Sequence, residues 1–189
     1  MRLAIRLVFL LSAIFFILLK NNIEKAPATT QAEEPPLQSD ISFFDGNYQD
    51  LFNGYSLKQP GENWRFSPTP RSNNLIKLDI THKSGKYGLQ VRVHKKGSQS
   101  FEEFVRSYID QFLSDMQNPD ILEQKEFAAA GVIGTAVSFD GRKRNGYFLK
   151  SYVFPGNRFY YALQGGCPFD QKAQLESELD QIAATFSKL

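Results

Sequence analysis

Two imidazoles, one thiol and a scatter of carboxylates are the groups in this chain whose chemistry could do more than hold a fold. His82 and His94, with Asp79 close in sequence, have the donor types of a small metal site, because a neutral imidazole and a carboxylate both ligate divalent cations. Two His and one Cys are too few for a His-rich centre or a Cys-based zinc site, and exposed or partly packed rings are the simpler expectation. Cys167 follows Gly165-Gly166 and precedes Pro168. It reads as a small buried or half-buried apolar residue, with a reactive thiol or an intermolecular disulfide as the alternative. Glu102-Glu103 and Glu176 with Glu178 fall on helical segments, where solvated faces account for them, although two acids meeting across a cleft would suit acid–base work. The chain contains no nucleophile elbow, phosphate-binding loop, HExxH pair or dinucleotide fingerprint. The sequence therefore supplies no catalytic residue, no metal ligand set and no cofactor expectation.

Basic residues say more than the acids. Between Arg71 and Lys96 the cations Arg71, Lys77, Lys83, Lys86, Arg92, Lys95 and Lys96 face Asp79 alone, and a second cluster is Arg142-Lys143-Arg144, with Lys150 nearby. If both hairpins lie at one end of a sheet, Arg92, His94, Lys95, Lys96, Arg142, Lys143 and Arg144 make a positive surface. Such a surface would contact an anionic headgroup, an acidic protein or a polyanionic envelope polymer. Solvated strand edges kept from aggregating by lysine are the competing explanation. A net charge of +2 is too small for nucleic-acid binding through bulk electrostatics.

The elements that must position these groups follow from periodicity. Ile76, Leu78 and Ile80 alternate with Lys77, Asp79 and Thr81, and Tyr87, Leu89, Val91 and Val93 alternate with polar neighbours. These are two strands with one buried face each, joined by a short turn and hence antiparallel. Earlier short strands are expected at Tyr55–Leu57 and Trp64–Phe66. The period then lengthens to 3.6. Ser100 and Glu103 form a capping box opening a helix to about Gln117, with Phe101, Phe104, Val105, Tyr108, Phe112 and Met116 on one face. Strands are expected over 121–127, 131–139, 147–154 and 158–163, the last two aromatic on both faces and so central. Gly165-Gly166-Cys167-Pro168 is expected to break the sheet, and Asp170 to cap a closing helix through Leu175, Leu179, Ile182 and Phe186. The fold class is α+β: one antiparallel sheet of about six strands covered by two helices.

Ahead of this body, Arg2 and Arg6 precede the apolar run Leu7–Leu19, which ends at Lys20. Basic residues hold the N-terminus in the cytoplasm and the body is exported. The run is signal-peptide length but lacks small residues at its end. Three outcomes stay open: an uncleaved single-pass anchor with the body periplasmic, cleavage and secretion, or a buried soluble helix. Residues 21–40, with Pro27, Pro35 and Pro36, read as a flexible linker, leaving 41–189 as one domain.

Gly54-Tyr55-Ser56-Leu57 with Pro60 and Trp64, the run Tyr152 to Leu163 with its Pro155-Gly156-Asn157 turn, and the ending Leu179 to Phe186 together resemble the PsbP-like family. The resemblance implies an α/β/α sandwich, with the first of these stretches as an opening hairpin and the second as the last hairpin. The matched residues look structural, so it carries no active site. The functional expectation is a membrane-tethered extracytoplasmic domain that binds an unknown protein or an anionic envelope component without catalysis. A small-ligand carrier with an aromatic cavity between sheet and helix is the alternative, and a hydrolase the third reading.

Overall fold

The computed structural model describes residues 41–69, 75–116, 119–142 and 146–189. The N-terminal apolar run, the linker, and Arg71, Lys143 and Arg144 lie outside the described residues. Among the described residues no helix is long and apolar enough to cross a membrane.

The chain begins with a hairpin of β1 (Ile41–Phe44) and β2 (Asn47–Asp50). Its two turn residues, Asp45 and Gly46, have φ of 49° and 72°, the left-handed pair that matches the twist of adjoining strands. Strand β3 (Tyr55–Lys58) pairs with β2, and β11 (Ser187–Lys188) closes this small sheet on the other side of β3. The large sheet is antiparallel throughout, in the order β4 (Trp64–Pro68), β5 (Ile76–His82), β6 (Gly88–Lys95), β10 (Phe159–Pro168), β9 (Tyr147–Pro155), β8 (Val132–Gly141), β7 (Asp120–Ala129).

Helix α1 (Phe101–Asp115) connects β6 to β7, the far edge, so it must cross one face of β10, β9 and β8. It starts as the sequence predicts: Glu103 N–H donates to Ser100 Oγ at 3.2 Å, and Ser100 N–H to Glu103 Oε2 at 2.7 Å. Phe104, Val105, Ile109 and Phe112 pack on Val137, Phe139, Val153 and Tyr160. Helix α2 (Lys172–Ala184) covers the opposite face, where Leu175, Leu179 and Ile182, together with Phe186 just beyond the helix, are fully buried against Leu163, Phe154 and the small sheet. The described domain is thus α+β with helices on both faces of an antiparallel sheet, and the aromatic strands β9 and β10 are central as expected.

Four expectations need correction. Among the described residues there are two sheets, of four and seven strands, because the first hairpin and β11 build a second one. The Gly54-to-Trp64 stretch is not a hairpin: β3 belongs to the small sheet and β4 to the large one. The glycines at 165 and 166 do not break β10, which runs on to Pro168. A Cβ at Gly165 would sit 2.9 Å from Leu179 Cδ2, and one at Gly166 would sit 2.6 Å from Leu149 Cδ2, so both positions are bare to admit neighbouring leucines. Finally, Asp170 does not cap α2. It lies within a 3₁₀ turn over Phe169–Gln171, and α2 follows with no side-chain cap.

Candidate functional site

Strand register decides whether the basic residues converge. Lys95 pairs with Phe159 at one end of the large sheet; Gly88 pairs with Gly166, and Tyr147 pairs with both Pro168 and Gly141, at the other. Arg142 follows Gly141 and is therefore at the opposite end from Lys95 and Lys96, roughly 30 Å away at the usual rise per strand residue. Among the described residues, the positive face expected from both hairpins is not brought together, because Arg142 does not join Lys95 and Lys96. Lys95 and Lys96 are exposed together, whereas Arg142 is tied into its own corner. Its Nη2 is 2.6 Å from Asp140 Oδ2 and its Nε 2.9 Å from the same oxygen, with the guanidinium 4.0 Å above the Phe169 ring.

Arg92 and His94 are not on an open surface either. Even-numbered residues of β6 face α1, and the His94 ring meets Phe104 and Tyr108 edge-on at 5.2 and 6.0 Å. Burial first, then the nearby charge of Arg92, pushes the His94 pKa down, so its imidazole stays neutral within an aromatic wall. His82 sits on the other face, stacked on Tyr87 at 4.4 Å with Nδ1 2.8 Å from Ser84 Oγ. The two imidazoles cannot share a metal ion, and among the described residues no cluster of His, Cys, Asp and Glu has the form of a metal site. Cys167 is fully buried and burial pushes its thiol up to about 11, which keeps it protonated and unreactive.

A buried ionic group appears instead where a solvated surface was expected. Lys150, on β9 beneath α2, is 2% exposed. Its Nζ lies 3.0 Å from Glu176 Oε1 and 2.8 Å from Asp180 Oδ1, and Tyr152 donates its hydroxyl proton to Asp180. Glu178, between these two acids in the same helix, accepts from Trp64 Nε1 at 2.9 Å. The acids of α2 are therefore hydrogen-bonded anchors. The signal was present in the alternation of β9, since Lys150 shares its face with Phe148, Tyr152 and Phe154, but its charge directs a sequence reader outward.

The aromatic residues expected to line a cavity fill both interfaces. Phe154 stacks on Phe186 at 4.5 Å and Phe104 on Tyr160 at 4.4 Å. The substantial concavities lie outside the core. An open hollow of about 620 Å³ beside α2 is edged by Phe127, Ser177 and the same Glu176 and Asp180 that Lys150 neutralises. A deeper groove of about 600 Å³ runs between α1 and the β7–β8 edge. Val105, Ile109 and Ile133 form its apolar lining, and Glu102, Arg106, Asp110 and Glu126 its charged rim. Helix α1 stops short of β7, which leaves Ile133 64% exposed on the floor. Sequence reading missed this groove, because it depends on how far across the sheet α1 reaches.

No family model matches the chain, and no curated protein matches it. Solved structures do. Cyanobacterial PsbP (CyanoP) from Synechocystis sp. PCC 6803 superposes with a TM-score of 0.58 at 10% identity, over 89% of this chain and 100% of that one. LpqN, involved in cell envelope biogenesis of Mycobacterium tuberculosis, superposes with a TM-score of 0.50 at 15% identity, over 71% of this chain and 84% of its own. At such identities the likeness concerns backbone architecture alone. With helices on both faces of one antiparallel sheet and this superposition, the chain carries a PsbP-like fold.

Proposed function

We propose that this chain is a membrane-tethered, extracytoplasmic, non-catalytic domain that binds a protein partner in the groove between α1 and the β7–β8 edge. The observation that carries the reading is the incomplete cover of the large sheet: α1 seals β9 and β10 but leaves Ile133 exposed in an open groove. A half-apolar groove with a polar rim suits an extended or helical segment whose apolar side chains complete the cover. Its rim carries Glu102, Asp110 and Glu126 against Arg106, so the segment that fits it carries net positive charge.

Location is argued from the N-terminal basic residues and apolar run, with residues 21–40 as the spacer. That LpqN, of the same fold, works in envelope biogenesis agrees with this placement. The carrier reading has less support, because aromatic side chains occupy the space it requires. A photo-crosslinking residue in place of Ile133, activated in intact cells carrying the full chain, should give a discrete protein adduct. Absence of an adduct there, with an adduct from Ser177 beside α2, would overturn the assignment of the groove.

A further inference from the structure

At the end of the sheet that carries Lys95 and Lys96, the chain also enters the domain. Ile41 pairs with Asp50, and the loop 51–54 follows at once. That loop is held rigidly. Asn53 donates to Asp50 from its backbone N–H at 2.9 Å and from Nδ2 at 2.6 Å; Tyr161 donates its hydroxyl to Asn53 O at 2.7 Å; and Arg158 Nη2 donates to Phe52 O at 2.9 Å. The consequence is a fixed tip on which Leu51 and Phe52 stand 53% and 54% exposed.

Cations surround this tip. Lys96 N–H donates to Arg158 O at 2.9 Å, Lys95 pairs with Phe159, and Lys188 pairs with Tyr55 at the base of the loop; all four cationic side chains are exposed. The opposing acids are few. Asp50 is buried and bonded to Asn53, and Glu103, in the first turn of the neighbouring α1, is engaged in its capping box, leaving Glu102. An apolar tip within a cationic collar is the chemistry of an interfacial membrane contact, where side chains enter the headgroup boundary and ammonium and guanidinium groups meet lipid phosphates.

We infer that this end of the domain lies against an anionic lipid surface, with Leu51 and Phe52 inserted and Lys95, Lys96, Arg158 and Lys188 on headgroup phosphates. The inference rests on the tethered reading above. With the body tethered through residues 1–40, the tip stays at a high effective concentration near the bilayer and a weak contact suffices. The groove beside α1 would then be held at a defined height and orientation.

The test uses the full chain reconstituted into vesicles of phosphatidylglycerol and phosphatidylethanolamine, with an environment-sensitive fluorophore on Leu51→Cys or, at the far end of the sheet, on Lys86→Cys. Cys167 is fully buried and escapes labelling. Shallow spin-labelled lipids should quench the Leu51 probe several-fold more than the Lys86 probe. That difference should shrink toward unity in phosphatidylcholine vesicles, in high salt, or when Lys95, Lys96 and Lys188 are all changed to Glu. Equal quenching at both positions in a chain that floats with the vesicles overturns the inference and leaves the tether standing. A Leu51 probe that responds only in native membranes, and not in lipid alone, assigns the tip to a protein and overturns it too. A chain that fails to float with the vesicles takes down the tethered reading and this inference together.

Discussion

The two faces of the large sheet are covered in different ways. Beneath α2 the centre is sealed and its flank is ionic: Leu175, Leu179, Ile182 and Phe186 have no exposed surface, the small sheet extends the seal, and Lys150 ties the helix to β9 through Glu176 and Asp180, which edge the hollow beside Phe127. Beneath α1 the cover is narrow: Phe104, Val105, Ile109 and Phe112 seal the centre, and the flank opens into the groove at Ile133. The contrast teaches that one face is built for stability and the other leaves apolar surface available to a partner.

The strongest way to break this contrast is to truncate one aromatic on each face. Phe186→Ala removes a ring stacked on Phe154 in a site with no route for collapse and should cost about 3–5 kcal/mol in chemical denaturation. Phe104→Ala, which is 7% exposed and stacks on Tyr160 in the smaller cluster beneath α1, should cost less, about 3 kcal/mol or below. Equal losses would mean that the two faces are sealed alike. Lys150→Met should come next, at about 2–4 kcal/mol, because Glu176 and Asp180 lose their cation yet are exposed enough to recover water. Ser100→Ala removes the α1 cap and should cost about 1 kcal/mol.

The smallest effect distinguishes the faces by pH. The folded chain holds the His94 pKa below its ordinary value, so the unfolded chain takes up this proton first as pH falls. The His94 contribution is complete above about pH 6.5 and is lost as pH drops through the lowered folded-state value. Thermal melts in that window should fall for the native chain and flatten for His94→Phe. An unchanged slope would remove His94 from the α1 core.

How much of this was legible in the residues depends on periodicity. Alternation over 76–93 and the capping box at Ser100 located β5, β6 and α1, since both patterns come from local geometry. The aromatic doubling of 147–163 placed β9 and β10 at the centre. The small sheet was missed although Asp45-Gly46 is a hairpin signal, because the flanking strands have four residues each and expose Phe43 and Phe44. Arg142 and Lys95 were grouped by charge, and only strand register separates them. Lys150 was set beside the 142–144 basic cluster because its true partners lie on α2, distant in sequence. Site geometry of this kind comes from tertiary placement, which local patterns do not encode.

The most direct test of the central claim is hydrogen exchange on the full chain, comparing native membranes with detergent-purified protein. Partner engagement at the groove predicts slower exchange in membranes for the amides of α1, β7 and the outer half of β8, with those of β9, β10 and α2 unchanged. Slowing confined to the α2 flank, or identical exchange in both preparations, would contradict it.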